Sequence, residues 1–132
     1  MSGYLGSIGF GYPAALGAWA AAPSRPIVAV TGDGGFGQYL AEVTTAVKYG
    51  IPVRHVLLDN AVLGKISKEQ RAAEYDVWQT SLHNPDFAAY ATLCGATGIA
   101  VQQSGELDAG FDRLFGAQGP STMAIRCDPE LI

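Results

Sequence analysis

The sequence is short of charge: Lys and Arg number 8 and Asp and Glu 12, together 15% of 132 residues, for a net charge of −4. It has no cluster of Lys or Arg, and therefore no electrostatic grip for a phosphate backbone or an anionic membrane, so nucleic acid is not an expected partner. Cysteine is scarce as well. Cys94 and Cys127 form no CxxC or metal-ligand spacing, which argues against a disulfide framework and leaves two reduced, semi-buried thiols. The longest uncharged apolar stretch, Ala14 to Ala22, falls well short of the roughly 20 residues of a membrane span. Met1-Ser2-Gly3 does not open a secretory signal, so the expected location is cytoplasmic. Apolar residues, by contrast, are plentiful at 48%. That is enough for one compact domain over residues 1–132, and the length is too small for two.

Strand-like runs occupy Pro26 to Thr31, Pro52 to Asp59, Gly98 to Gln102 and Thr122 to Cys127. Segments of helical period lie between them. Leu40, Val43, Thr44 and Val47 share one face, with Gly50 as a C-terminal cap; Leu107, Phe111, Leu114 and Phe115 repeat the pattern behind Ser104 as an N-cap,. Asn84-Pro85 has the composition of a helix start, Asn capping and Pro in the first turn, and an Ala-rich helix runs from about Pro13 to Ala22,. Strands that are nearly all apolar predict burial on both faces. Alternation with helices then predicts a doubly wound α/β fold, a mostly parallel sheet with helices on both faces and ligands at the strands' carboxyl ends. The polar, aromatic stretch from Ile66 to Asn84 reads as a short helix followed either by an excursion or lid over that edge or by a long surface connection.

The chemistry is concentrated after the first strand, in Gly32-Asp33-Gly34-Gly35-Phe36-Gly37. This matches G-x-G-x-x-G between strand and helix, and Asp59 ends the next strand where a ribose-binding acid would stand, so a nicotinamide-binding Rossmann domain is one reading. Asp33 speaks against it. A carboxylate between the glycines repels a diphosphate unless a divalent cation lies between them. If the first two strands are adjacent and parallel, Asn60 falls beside Asp33, and their oxygens, a backbone carbonyl, two phosphate oxygens and a water complete an octahedron for Mg2+. A helix beginning near Phe36 would add its free N–H groups.

Gly32-Asp33-Gly34 with Asn60 resembles the thiamine diphosphate signature. Gly6-Ser7-Ile8-Gly9-Phe10-Gly11 is similar to the glycine-rich approach segment of acetolactate synthases and pyruvate oxidases, and Asn84-Pro85-Asp86-Phe87 to a later stretch of the same enzymes. The resemblance covers essentially the whole chain. It implies Mg2+ on the side chains of Asp33 and Asn60 and the carbonyl of Val62. It implies a cofactor site of Gly6, Ser7, Ile8, Gly32, Asp33, Gly34, Gly35, Asn60, Val62 and Gly64, with Ile8 propping the cofactor into a bent form. Glycines at 6 and 9 suit close backbone approach, and Ile8 is a rigid β-branched wedge. The segment from Leu63 to Gln70 resembles the pyruvate oxidase version, which implies that Ile66 faces the reacting carbon and Glu69 is an acid near the substrate. Lys65 stands where those oxidases carry an aromatic residue near the flavin.

The implied substrate is a 2-keto acid such as pyruvate, with the cofactor acting as electron sink. FAD, where the parent enzyme uses it, would be held by another domain. The activating glutamate belongs to a pyrimidine-binding domain that no segment here resembles. The expectation is therefore the diphosphate-binding, C-terminal part of a longer or split enzyme, inactive alone and homo-oligomeric in assembly. The signature often closes with Asn-Asn where this chain has Asp59-Asn60. His55, inside an apolar run, reads as a core histidine. A degenerate domain retained for assembly is the non-enzymatic alternative, and it predicts no cofactor affinity.

Overall fold

The computed structural model of the chain describes residues 6–131; the Met1-Ser2-Gly3 start lies outside them. An Ala-rich helix α1 (Gly11–Ala21) leads into strand β1 (Val28–Gly32). Tyr12, Ala15 and Leu16 form its buried face, the i, i+3, i+4 spacing of a helix laid on a sheet,. After β1 comes a single turn, α2 (Asp33–Phe36), then a 3-10 turn and helix α3 (Glu42–Lys48). The helix expected from about Phe36 thus begins at Asp33 and breaks once before α3. Gly50 ends α3 with φ +61°, the left-handed conformation that a glycine after a helix supplies,.

Strand β2 (Arg54–Asp59) and helix α4 (Gly64–Ala72) follow, and an irregular stretch then leads to α5 (Phe87–Leu93). Strand β3 (Thr97–Val101), helix α6 (Leu107–Gly116) and strand β4 (Ser121–Arg126) complete the fold. The strands pair in parallel in the order β1-β2-β4-β3. They lie within two residues of the predicted runs. The architecture is the expected α/β sheet with helices on both faces.

The two faces differ in cover. One core gathers Tyr12, Leu16, Phe36, Val43, Val53, Leu57 and Phe87, from α1, α2, α3 and α5 and the strands beneath them. The α5 backbone lies so close to β3 that a Cβ on Gly98 would collide with the Ala88 carbonyl. The other core is smaller: Val56, Ile99, Val101, Leu114 and Met123 under α6. Burial on both faces therefore holds for β2, where His55, Val56 and Leu57 are buried in succession, and fails for β1, where Val28 and Val30 are 48% and 63% exposed. The cause is positional, because β1 is an edge strand that α6 does not reach.

Candidate functional site

The carboxyl ends of β1 and β2 lie side by side, Gly32 opposite Leu58, which brings the two loops after them together. Asp33 opens α2 and is 3% exposed. A buried carboxylate requires partners, and Asp33 has three. Gly34 N donates to Oδ1 at 2.9 Å, Ala61 N donates to Oδ2 at 2.7 Å, and the Asn84 side-chain amide donates to Oδ2 at 2.6 Å. The same Asn84 nitrogen donates to Asp59 Oδ1 at 2.8 Å, and Asp59 pairs with Arg126 at 3.7 Å. Asn60 Oδ1 accepts from Val62 N at 3.1 Å, which turns its side chain back over its own loop.

Local rules misassign Asn84. Read as the N-cap of the following helix, it instead reaches across to Asp33 and Asp59, and Asp86 caps α5 by accepting from Ala89 N at 2.9 Å. The irregular stretch before α5 explains how Asn84 arrives there. Leu63 N donates to Thr80 O and Leu82 N to Ala61 O, each at 2.8 Å, around an antiparallel bridge between Val62 and Ser81. Beneath them the Ser67 hydroxyl donates to Thr80 Oγ1 at 2.8 Å, both residues being buried. The excursion is thus a buttress behind the loop 60–63, and it contributes no residue to the wall of the cavity described next, so of the two readings the surface connection fits and the lid does not. Ala61 holds a left-handed φ of +56°. That strain, of order 1 kcal/mol, is offset by the bonds at its N–H and its carbonyl.

A cavity of about 590 Å3 opens at this edge. Gly6, Ile8, Gly32, Asp33, Gly34, Gly35, Asn60, Val62, Gly64 and Ile66 all line it. Ser7 lines the adjoining groove instead, with Gly6, Ile8 and Gly9. Gly9 and Gly35 bring their backbones into contact: a Cβ on Gly9 would stand 2.8 Å from Gly35 O. Glu69 does not line the cavity; it is exposed on α4 and pairs at 3.8 Å with Lys65, which does. Cys127, which the sequence presents only as a semi-buried thiol, and Asp128, just past β4, line the cavity as well. The signal that finds them is the carboxyl-end rule itself, because β4 is the next neighbour of β2,.

Burial pushes the Asp59 carboxyl above its usual range, the nearby Asp33 charge adds to this, and Asn84 and Arg126 pull the other way. With its oxygens committed to Asn84 and Arg126, Asp59 is not presented to a ribose, and the dinucleotide reading loses its acid. Away from the cavity, burial drives His55 down to about 3, so it is neutral in the core, as read from the sequence.

The family model described as the thiamine pyrophosphate enzyme C-terminal TPP binding domain matches residues 1–125. The chain belongs to this family. It is 39% identical over 125 residues to a putative thiamine pyrophosphate-containing protein, YdaP, of Bacillus subtilis, covering 95% of this chain and 22% of that protein. It is 34% identical over 131 residues to the mitochondrial acetolactate synthase catalytic subunit of Saccharomyces cerevisiae, covering 98% and 19% respectively. The solved thiamine diphosphate-dependent 4-hydroxybenzoylformate decarboxylase of Rhodococcus jostii superposes with a TM-score of 0.84 at 27% identity, over 92% of this chain and 23% of that one. The chain therefore spans about one fifth of the length of these relatives.

The thiamine pyrophosphate family implies a diphosphate and a divalent cation, and the donors here fit such a pair. Around Asp33 and Asn60 the side-chain donors are oxygens, and among the described residues no group of three His, Cys, Asp or Glu is placed to hold a metal. Oxygen ligands of this kind suit a hard cation that keeps phosphate oxygens and water in its shell. No helix among the described residues is long and apolar enough to cross a membrane.

Proposed function

We propose that the chain binds Mg2+ and thiamine diphosphate as the diphosphate-binding part of an enzyme that decarboxylates a 2-keto acid such as pyruvate, or transfers its carbonyl unit. The observation that carries the reading is Asp33: a buried carboxylate with three fixed donors, beside Asn60, at the floor of a glycine-lined cavity. Asp33 and Asn60 would hold the metal through side-chain oxygens and Val62 through its carbonyl. Gly34 and Gly35 leave room for the diphosphate to approach backbone. Ile8 and Ile66 line the same cavity as apolar walls, one to shape the cofactor and one toward the substrate. Thiamine diphosphate, when bound, supplies the electron sink for decarboxylation. The glutamate that activates it would come from a pyrimidine-binding domain outside this chain, so the chain alone is inactive and works in an oligomer.

The test is calorimetric titration of thiamine diphosphate with Mg2+, with chelator, and with Asp33→Ala, each repeated with a pyrimidine-binding domain supplied. Heat that requires both Mg2+ and Asp33 is expected. Silence under every condition would leave a degenerate domain kept for assembly.

A further inference from the structure

We infer that Asn84 is a positioning residue that keeps Asp33 a one-oxygen metal ligand, and thereby sets the preference of the site for Mg2+ over Ca2+. The inference rests on the metal-binding reading given above. An ionised carboxylate offers about four acceptor positions, two on each oxygen. On Asp33 three are filled: one on Oδ1 by Gly34 N, and both on Oδ2 by Ala61 N and Asn84 Nδ2. A single position remains, on Oδ1. A cation can take it, and coordination through both oxygens would require Oδ2 to give up a donor.

Of the two donors on Oδ2, Ala61 N is backbone in a loop already fixed by its pairing with residues 80–82. Asn84 is the side chain that selection can change. Its placement is set from two sides, by the buttress that delivers it and by Asp59, which accepts from the same nitrogen and is tied to Arg126. Asn is also the residue type that the position requires, since one amide nitrogen carries two N–H groups and here serves two carboxylates. An Asp at 84 would bring a third negative group, and an Ala would take the shared amide donor from both Asp33 and Asp59 while leaving Asp33 its two backbone donors.

The consequence is selectivity. Mg2+ demands six ligands in a tight octahedron and is content with single carboxylate oxygens, phosphates and water. Ca2+ takes six to eight ligands and gains from two-oxygen carboxylates. Blocking Oδ2 withholds that gain. Freeing it, and freeing Asp59 as a further carboxylate, favours the larger ion.

The experiment measures Mg2+ and Ca2+ affinities by equilibrium dialysis with saturating thiamine diphosphate, on the holoprotein and its Asn84→Ala variant. The ratio of Mg2+ to Ca2+ affinity is expected to fall by about 10- to 100-fold, the scale of lost outer-sphere contacts at metal sites. An unchanged ratio, with both proteins binding metal, overturns the inference and leaves the proposed function standing. Absence of metal binding in the unaltered protein brings down both. Because Asn84→Ala removes two half-buried bonds and a loss of folding would mask the effect, a second measurement uses the unaltered protein. Metal-induced infrared difference spectra with 13C-aspartate are expected to show a one-oxygen carboxylate signature with either cation, and a two-oxygen signature overturns the inference.

Discussion

The two banks of the cavity are built differently. On one, Asp33, Asn60 and the loop 60–63 are held by backbone and side-chain bonds of 2.6–3.1 Å from three separate segments. On the other, the approach segment from Gly6 to Phe10 has one long internal bond, Phe10 N to Ser7 O at 3.4 Å, and leaves Ile8 and Phe10 48% and 46% exposed. The Asp33 bank, the proposed metal bank, is braced by bonds within this chain, whereas the approach bank holds its apolar side chains out for something else to cover. Preorganised donors serve charge stabilisation, which loses strength when groups must reorient. A hydrophobic wedge needs only shape and gains its energy when covered.

The largest effect expected concerns the ground both banks share. Tyr12 of α1, reached through the approach segment, and Phe36 of α2, reached through Asp33, both pack on the His55 ring, at 4.8 and 4.4 Å between centroids. His55 lies between Thr31 Oγ1 at 2.7 Å and Thr122 Oγ1 at 3.3 Å. Burial lowers it from 6.5 to about 3 in the folded state. A lowered histidine means that the unfolded chain takes up the proton first, so this contribution is flat above about pH 6.5 and destabilises progressively as pH falls toward 3, by about 1.4 kcal/mol per pH unit. Urea unfolding at stepped pH should show this slope in the unaltered chain and a slope shallower by that amount in His55→Gln, whatever its absolute stability. Equal slopes would mean that the ring is not the titrating group and that the two banks do not share an acid-labile base.

A smaller effect isolates the metal bank. Ser67→Ala removes the donor to the buried Thr80 hydroxyl beneath the loop 60–63, and is expected to cost about 1–3 kcal/mol and to weaken Mg2+ binding. Ser7→Ala, on the exposed approach bank, is expected to stay within about 0.5 kcal/mol. Thermal unfolding of the pair tests the contrast directly, and similar losses would show that the banks are equally braced.

This asymmetry also governs what was legible in the sequence. The strands, the parallel order of β1 and β2 and the meeting of Asp33 with Asn60 follow from apolar runs and from the carboxyl-end rule, both short-range or topological signals. Asn84 was not legible. In Asn84-Pro85-Asp86 both polar residues are good helix caps, and the choice is made by Asp33 and Asp59, far away in sequence, which draw Asn84 off and leave the cap to Asp86. The buttress was hidden for a related reason: its bonds to residues 61–63 run through backbone, and backbone pairing leaves no side-chain period to read. The bare side of β1 escaped because an apolar run looks the same on an edge strand as on a central one.

The smallest change in stability should accompany a large change in binding, and it falls on the approach bank. Ile8 is 48% exposed, and Ile66, across the cavity, is 43% exposed. Neither contributes much to folding, so Ile8→Ala is expected to shift unfolding by less than about 0.5 kcal/mol. If the cofactor covers that side chain, however, the same substitution removes three carbons from a buried contact, worth about 0.8 kcal/mol each, or roughly 2 kcal/mol and some 30-fold in affinity for thiamine diphosphate. Measured at saturating thiamine diphosphate, where the linkage through the shared diphosphate is satisfied in both proteins, the affinity for Mg2+ should stay within about twofold, because Ile8 makes no bond to Asp33 or its donors,. Calorimetry on Ile8→Ala reads both quantities. A loss of cofactor affinity with metal affinity intact would establish the division between a braced metal bank and an open wedge. Parallel losses would mean that the glycine contact between Gly9 and Gly35 couples the two banks into one unit.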